Sequence, residues 1–147
     1  MVESKAHDSD MVWMSGSYSV RDLLLKRAIL REGLSKLTET TVEFQSKNKA
    51  VKLEDIVGQT LNLHVQTEAG TDKKFSGLCI SVESMGFRDG YGLYVAEVRP
   101  WLWLLTRTTD SRVFQEQSAV DIILQIFSEN GFSDYRNRLS DTYAPRE

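Results

Sequence analysis

At 147 residues, 41% hydrophobic and 27% charged, the chain has the composition of one globular domain and the length to bury a core. A net charge of −3 is the wrong sign for a general nucleic-acid binder, which gains affinity by neutralising phosphates. The single cysteine, Cys79, excludes an intrachain disulfide and a thiolate metal cluster, and no apolar run approaches the roughly 20 residues that span a bilayer.

Met1 to Asp8 lacks the basic-then-apolar layout of a signal peptide. Residues 1–19 are polar and irregular, and read as a poorly ordered or peripheral segment. Within them, Met11 to Met14 either forms a short edge strand or docks on the body. Leu23, Arg27, Leu30, Leu34 and Leu37 recur at helical spacing among good helix formers, so propensity favours a helix from Asp22 to Leu37. Gly33 interrupts that pattern, and a strand followed by a turn at Glu32-Gly33 competes with it.

Thr38 to Gln45 is β-branched, with Val42 and Phe44 on one face and Thr41, Glu43 and Gln45 on the other. Leu53 to Gly58 reads as one helical turn ended by glycine. Thr60 to Thr67 alternates, with Leu61, Leu63 and Val65 inward and Asn62, His64 and Gln66 outward. Phe75 to Glu83 alternates again, and Tyr91 to Val98 is apolar on both faces, the pattern of a strand covered on both sides. Short glycine-bearing turns join these three strands into an antiparallel meander, which implies a small barrel or sandwich.

Pro100 ends the third of them and can start a helical turn carrying Trp101, Leu104 and Leu105 on one face, with Trp103 off it. Arg112-Val113-Phe114 reads as a short returning strand. Ser118 to Asn130 is a helix with Ser118 as N-cap, Asp121 in the first turn, a stripe of Ala119, Ile122, Ile123, Ile126 and Phe127, and a stop at Asn130-Gly131. Beyond it, Leu139 and Tyr143 are the candidate anchors of a polar tail.

The chemistry available is sparse. His7 lies in the irregular start, and His64 falls on the expected solvent face with no carboxylate at a telling spacing. Glu54-Asp55 and Asp89 fit a helix start and a turn better than an acid/base pair. No nucleophile-elbow, zinc-protease or P-loop pattern occurs, and Gly86 to Gly92 frames a turn. The expectation is no catalytic residue, no cofactor and no metal. Trp101 and Trp103 invite an aromatic platform for a sugar or a base, but their leucine neighbours favour filling a core or sealing a contact between subdomains. Arg99 can stack on an indole or meet Glu97. Cys79 reads as a small core residue.

Three stretches together resemble the VgrG spike proteins of type VI secretion systems. They are Leu34 to Phe44, then Val98-Arg99-Pro100-Trp101-Leu102-Trp103-Leu104-Leu105-Thr106 with Ser111 to Gln115, and finally Tyr143 to Glu147. The resemblance covers about residue 22 to the end and marks Arg99, Pro100, Trp101, Trp103, Leu104, Leu105, Arg112 and Phe114 as a structural signature. It implies the N-terminal hub domain, akin to phage tail-hub and late-control D proteins, over residues 20–147, cut short within a motif. The implied fold is mainly β with one α-helix, an antiparallel barrel-like tube domain packed with a helix near residues 118–130. The resemblance also turns Leu23 to Arg31 into a strand paired with Thr38 to Gln45. The implied role is mechanical: a homotrimeric hub joining the Hcp tube rings to a needle tipped by a PAAR-repeat protein, delivering effectors, with no nucleic acid involved. Such a protein is made in the bacterial cytoplasm, assembled at the baseplate and expelled by contraction without a signal peptide. The alternative is a small β-barrel module that binds single-stranded nucleic acid or glycan through exposed tryptophans.

Overall fold

The computed structural model describes residues 2–4, 11–17, 22–48, 50–67 and 71–145, and the chain divides into two units, Met1–Thr106 and Arg107–Glu147. The first is one seven-stranded antiparallel sheet. Its strands are β1 (Val2–Ser4), β2 (Val12–Gly16), β3 (Leu23–Arg31), β4 (Glu39–Ser46), β5 (Thr60–Gln66), β6 (Asp72–Arg88) and β7 (Tyr91–Arg99). They lie in the order β1-β2-β5-β6-β7-β4-β3, and the sheet curls into a half-barrel whose last strand, β3, approaches β1 and β2.

The helical spacing in residues 23–31 is resolved by a bulge. β3 pairs with β4 through Leu23↔Ser46 and Leu25↔Phe44, then slips one residue at Lys26 and resumes as Ala28↔Val42 and Leu30↔Thr40. One extra residue in a period of two sets Leu23, Leu25, Ala28 and Leu30 on one face at spacings of two, three and two, so the helically spaced Leu23, Arg27 and Leu30 are split between the two faces. The opposite face carries Arg27, whose guanidinium meets Glu43 across the strands at 3.3 Å.

That concave face is the core. Thr40, Val42, Phe44 and Ser46 alternate inward on β4, as do Tyr94, Ala96 and Val98 on β7, and Phe44 stacks on Tyr94 with centroids 5.4 Å apart. Leu61 and Met14 join them, and Ile56, just after a 3₁₀ turn over Leu53–Asp55, is fully buried among them. The outer face of β7 is half-buried, so the strand is not covered on both sides as its composition implies. A bulge at Ile80 puts Val82 on the same side as Cys79, which is 0% exposed. Asp89 and Gly90, both at positive φ, close the β6–β7 hairpin.

Residues 12–16, which fall in the stretch read as peripheral, form β2, bonded to β1 on one side and β5 on the other, with Trp13, Met14 and Ser15 buried. The rest of the 1–19 expectation largely lies outside the described residues.

In the second unit the helix is α1 (Ala119–Glu129). Ser118 and Asp121 form the reciprocal cap expected of them, each side chain bonding the other's backbone N–H at 3.2 Å. Gly131 at φ 75 lets the chain turn back so that the Phe132 N–H reaches the Phe127 carbonyl at 2.9 Å. No strand forms at Arg112-Val113-Phe114; residues 108–115 are irregular. Tyr143 and Leu139, expected to anchor the tail, are 44% and 55% exposed. Leu139 lines an apolar groove of about 410 Å³ with Ile123, Phe127 and Tyr135.

Phe44→Ala should cost about 3–5 kcal/mol in urea unfolding, as removal of a buried aromatic does. Leu34→Ser, at a side chain 97% exposed, should stay within roughly 0.5 kcal/mol of the parent.

Candidate functional site

β7 ends at Arg99 because Pro100 cannot continue the ladder, and Trp101–Arg107 winds into a 3₁₀ helix. The Trp103 N–H bonds the Pro100 carbonyl at 2.9 Å, and the Thr106 hydroxyl bonds the Trp103 carbonyl at 2.7 Å. Trp101, Trp103, Leu104 and Leu105 are half-buried and Leu102 is exposed. No residue of this helix is fully buried, so the densest apolar run in the sequence is not an interior core segment. Arg99 meets Glu97 at 3.5 Å and donates to the Val98 carbonyl at 3.2 Å. This is the carboxylate option raised from sequence.

The other two signature residues lie in the second unit. Phe114 is half-buried. Arg112 bridges Asp110 and Glu129, fastening the irregular 108–115 segment to the last turn of α1. A hydrogen bond from Gln125, then one from Arg112, hold the Glu129 carboxyl below its ordinary range, and Glu129 and Asp110 together hold the Arg112 guanidinium above its own.

The structure also assembles a cluster that the spacing did not reveal. His64 lies flat on Trp13, centroids 4.9 Å apart and planes 7° from parallel. Its Nδ1 is 3.2 Å from the Asp72 carboxylate and its Nε2 is 2.9 Å from the Ser15 hydroxyl. A carboxylate can only accept, so Nδ1 carries a proton, and in the neutral ring Nε2 then accepts from Ser15. Ser15 in turn accepts from the Asn62 amide at 3.2 Å. The connectivity is that of a serine, histidine and carboxylate relay, but Ser15 is only 2% exposed. What the arrangement does is tie β2, β5 and β6 together side chain to side chain. Two expectations are corrected here: Asn62 and His64 point away from the core yet are covered, and His64 does have a carboxylate partner. The signal was present in the register, since Gln66 pairs with Asp72 across the hairpin and places that carboxylate diagonally opposite His64.

Cys79 is the core residue expected of it. Burial pushes its thiol up to about 11, partly offset by a backbone hydrogen bond at Ser81.

Residues 31–147 match the phage tail baseplate hub (GPD) family. Among individual proteins, the chain is similar to three type VI secretion system spike proteins of Pseudomonas aeruginosa. It is 37% identical to VgrG1c over 121 residues and 36% identical to VgrG1a over the same length, in each case 82% of this chain. It is 34% identical to VgrG1b over 139 residues, 94% of this chain. The matches cover 17–19% of those relatives, so the chain spans less than a fifth of their length. In fold it is similar to the Escherichia coli c3393 protein, with a TM-score of 0.71 at 21% identity, over 91% of this chain and 37% of that one. That protein is described as a component of the type VI secretion system with structural similarity to the T4 bacteriophage tail proteins gp27 and gp5.

Replacing His64 with Ala should lower unfolding stability by about 1–3 kcal/mol, because Ser15 and Asp72 lose their partner. His64→Phe keeps the stack on Trp13 and should recover part of that loss. The contribution of Glu129 is present above its ordinary titration range and is lost as pH falls through its lowered folded value. An NMR titration of the α1 amides should therefore show the last turn loosening in acid, and Arg112→Ala should move the transition to higher pH.

Proposed function

Because the chain belongs to the phage tail baseplate hub (GPD) family, we propose that it is hub structure from a type VI secretion spike. The observation that carries this reading is the family match across most of the chain, which takes in strands β4 to β7 and the capped helix. Its role is mechanical and adaptor-like. Load is carried by the seven-stranded antiparallel sheet, and the aromatic and arginine residues of 99–114 serve as structural signature. The half-buried state of Trp101 and Trp103 supports a packing role for them over a stacking platform.

In its finer form the proposal has three copies forming a hub that joins rings of Hcp tube protein to a needle tipped by a PAAR-repeat protein. Effectors travel with that assembly. The protein is made in the bacterial cytoplasm, assembled at the baseplate and expelled by contraction. The spike proteins to which the chain is similar support this reading, as does its likeness in fold to a secretion-system component.

Light scattering of the polypeptide extended to the length of its relatives should return three times the chain mass. A monomeric mass there would overturn the hub reading. Titration with single-stranded oligonucleotide or with glycan should leave tryptophan fluorescence unchanged, and saturable quenching would favour a binding module instead.

A further inference from the structure

The first unit contains a notch in its sheet. β6 is the longest strand, and along Asp72–Leu78 it pairs with β5. Its pairing with β7 begins only at Leu78↔Arg99, where β7 stops at Pro100. Asp72–Gly77 is therefore bonded on one side and open on the other among the described residues. β4, which flanks β7 on its far side, likewise has no β7 partner before Thr40. Strands two places apart in a sheet are about 10 Å apart, which leaves the width of one strand between these edges. A cleft of about 200 Å³ occupies this place, lined by Thr38, Thr40, Lys74, Ser76, Gly77 and Arg99 among others.

The direction of the open backbone groups follows from alternation. Cys79 donates to the Gln59 carbonyl at 2.9 Å and accepts from the Gly58 N–H at 2.8 Å, so both its backbone groups face the β5 side. In an antiparallel strand the facing alternates, so Gly77, Phe75 and Lys73 also face β5. Ser76, Lys74 and Asp72 then present N–H and C=O to the notch. At its inner end Gly77 leaves no room to spare: a Cβ there would lie 2.7 Å from the Arg99 carbonyl oxygen. That close approach fixes where β7 departs and where the open edge begins.

The side chains agree with the backbone. The hydroxyls of Thr38, Thr40 and Ser76 and the ammonium groups of Lys73 and Lys74 have no side-chain partner among the described residues. The carboxylates nearby are engaged or faced by a cation: Asp72 holds His64, Glu97 holds Arg99, and Glu39 stands opposite Arg31 in the β3–β4 ladder. The uncommitted charge on this edge of β6 is positive.

The geometry points to a strand-addition site: the notch takes an extended, acidic segment of a partner polypeptide. That segment pairs antiparallel with Asp72–Gly77 through its backbone; its alternate carboxylates meet Lys74 on one face of the sheet, while Lys73, on the other face, adds to the local positive charge. Main-chain bonds supply the affinity, and the lysines select the partner. The open edge is protected against indiscriminate pairing by the same lysines, a common device on strand edges.

The test uses the 147-residue chain and a fluorescent eight-residue peptide alternating valine and glutamate, followed by anisotropy. The acidic peptide should bind saturably and more weakly as salt rises, and a valine–lysine peptide should not bind. Ser76→Pro deletes an N–H that faces the notch and leaves the β5 ladder intact, so affinity should fall about tenfold. Lys74→Glu, at an exposed side chain, should fall comparably with an unchanged circular dichroism spectrum. Equal binding of both peptides, or binding indifferent to both variants, would overturn the site. So would slow hydrogen exchange at Lys74 and Ser76 without peptide, which would mean that a second copy or the chain itself already fills the edge.

Discussion

The half-barrel depends on the pairing of Glu39–Ser46 with Tyr91–Arg99. These strands are adjacent in space although about fifty residues separate them in sequence, and their register sets Phe44 against Tyr94 and Val42 against Ala96. Each of these side chains is buried, and a one-residue slip would turn all of them outward at once. β3 and β6 are then laid against this pair from either side, and each carries bulges that adjust its own faces to the fixed central register. The curvature of the sheet comes with those bulges, because an extra residue bends and twists the strand that holds it.

Much of this was legible in the chain. The alternation of Val42 and Phe44, the turn closed by Gly58 and the capped helix after Ser118 each rest on local chemistry, and each formed where that chemistry put it. Residues 23–31 were ambiguous for a definite reason. Good helix formers recur there at spacings of four and three, a bulge at Lys26 breaks the strict alternation that would have marked a strand, and the family pattern was needed to read it as one. At the tryptophan stretch apolar density alone does not separate a buried core from a half-buried 3₁₀ helix, and the latter forms there. The missing strand at 112–114 has a different cause. Its arginine is held by Asp110 and Glu129, and those ties fasten the segment to the helix without any ladder.

The His64 cluster lay beyond single-strand reasoning. Its members come from β2, β5 and β6, and only the register of two hairpin-like pairings brings them together. A face that points away from the core is therefore not always a wet face. Here the outer surface of β5 holds a second, polar layer of packing, in which Trp13 supplies area and Ser15, Asn62 and Asp72 supply direction.

Cys79 carries a consequence of another kind. Its sulfur sits at zero exposure in the centre of the concave face, in the form least able to ionise, and oxidation requires the thiolate and access to it. It is also the only thiol in these 147 residues. The folded chain therefore keeps the same thiol state in a reducing compartment as in an oxidising one. That indifference follows from where β6 places a single side chain.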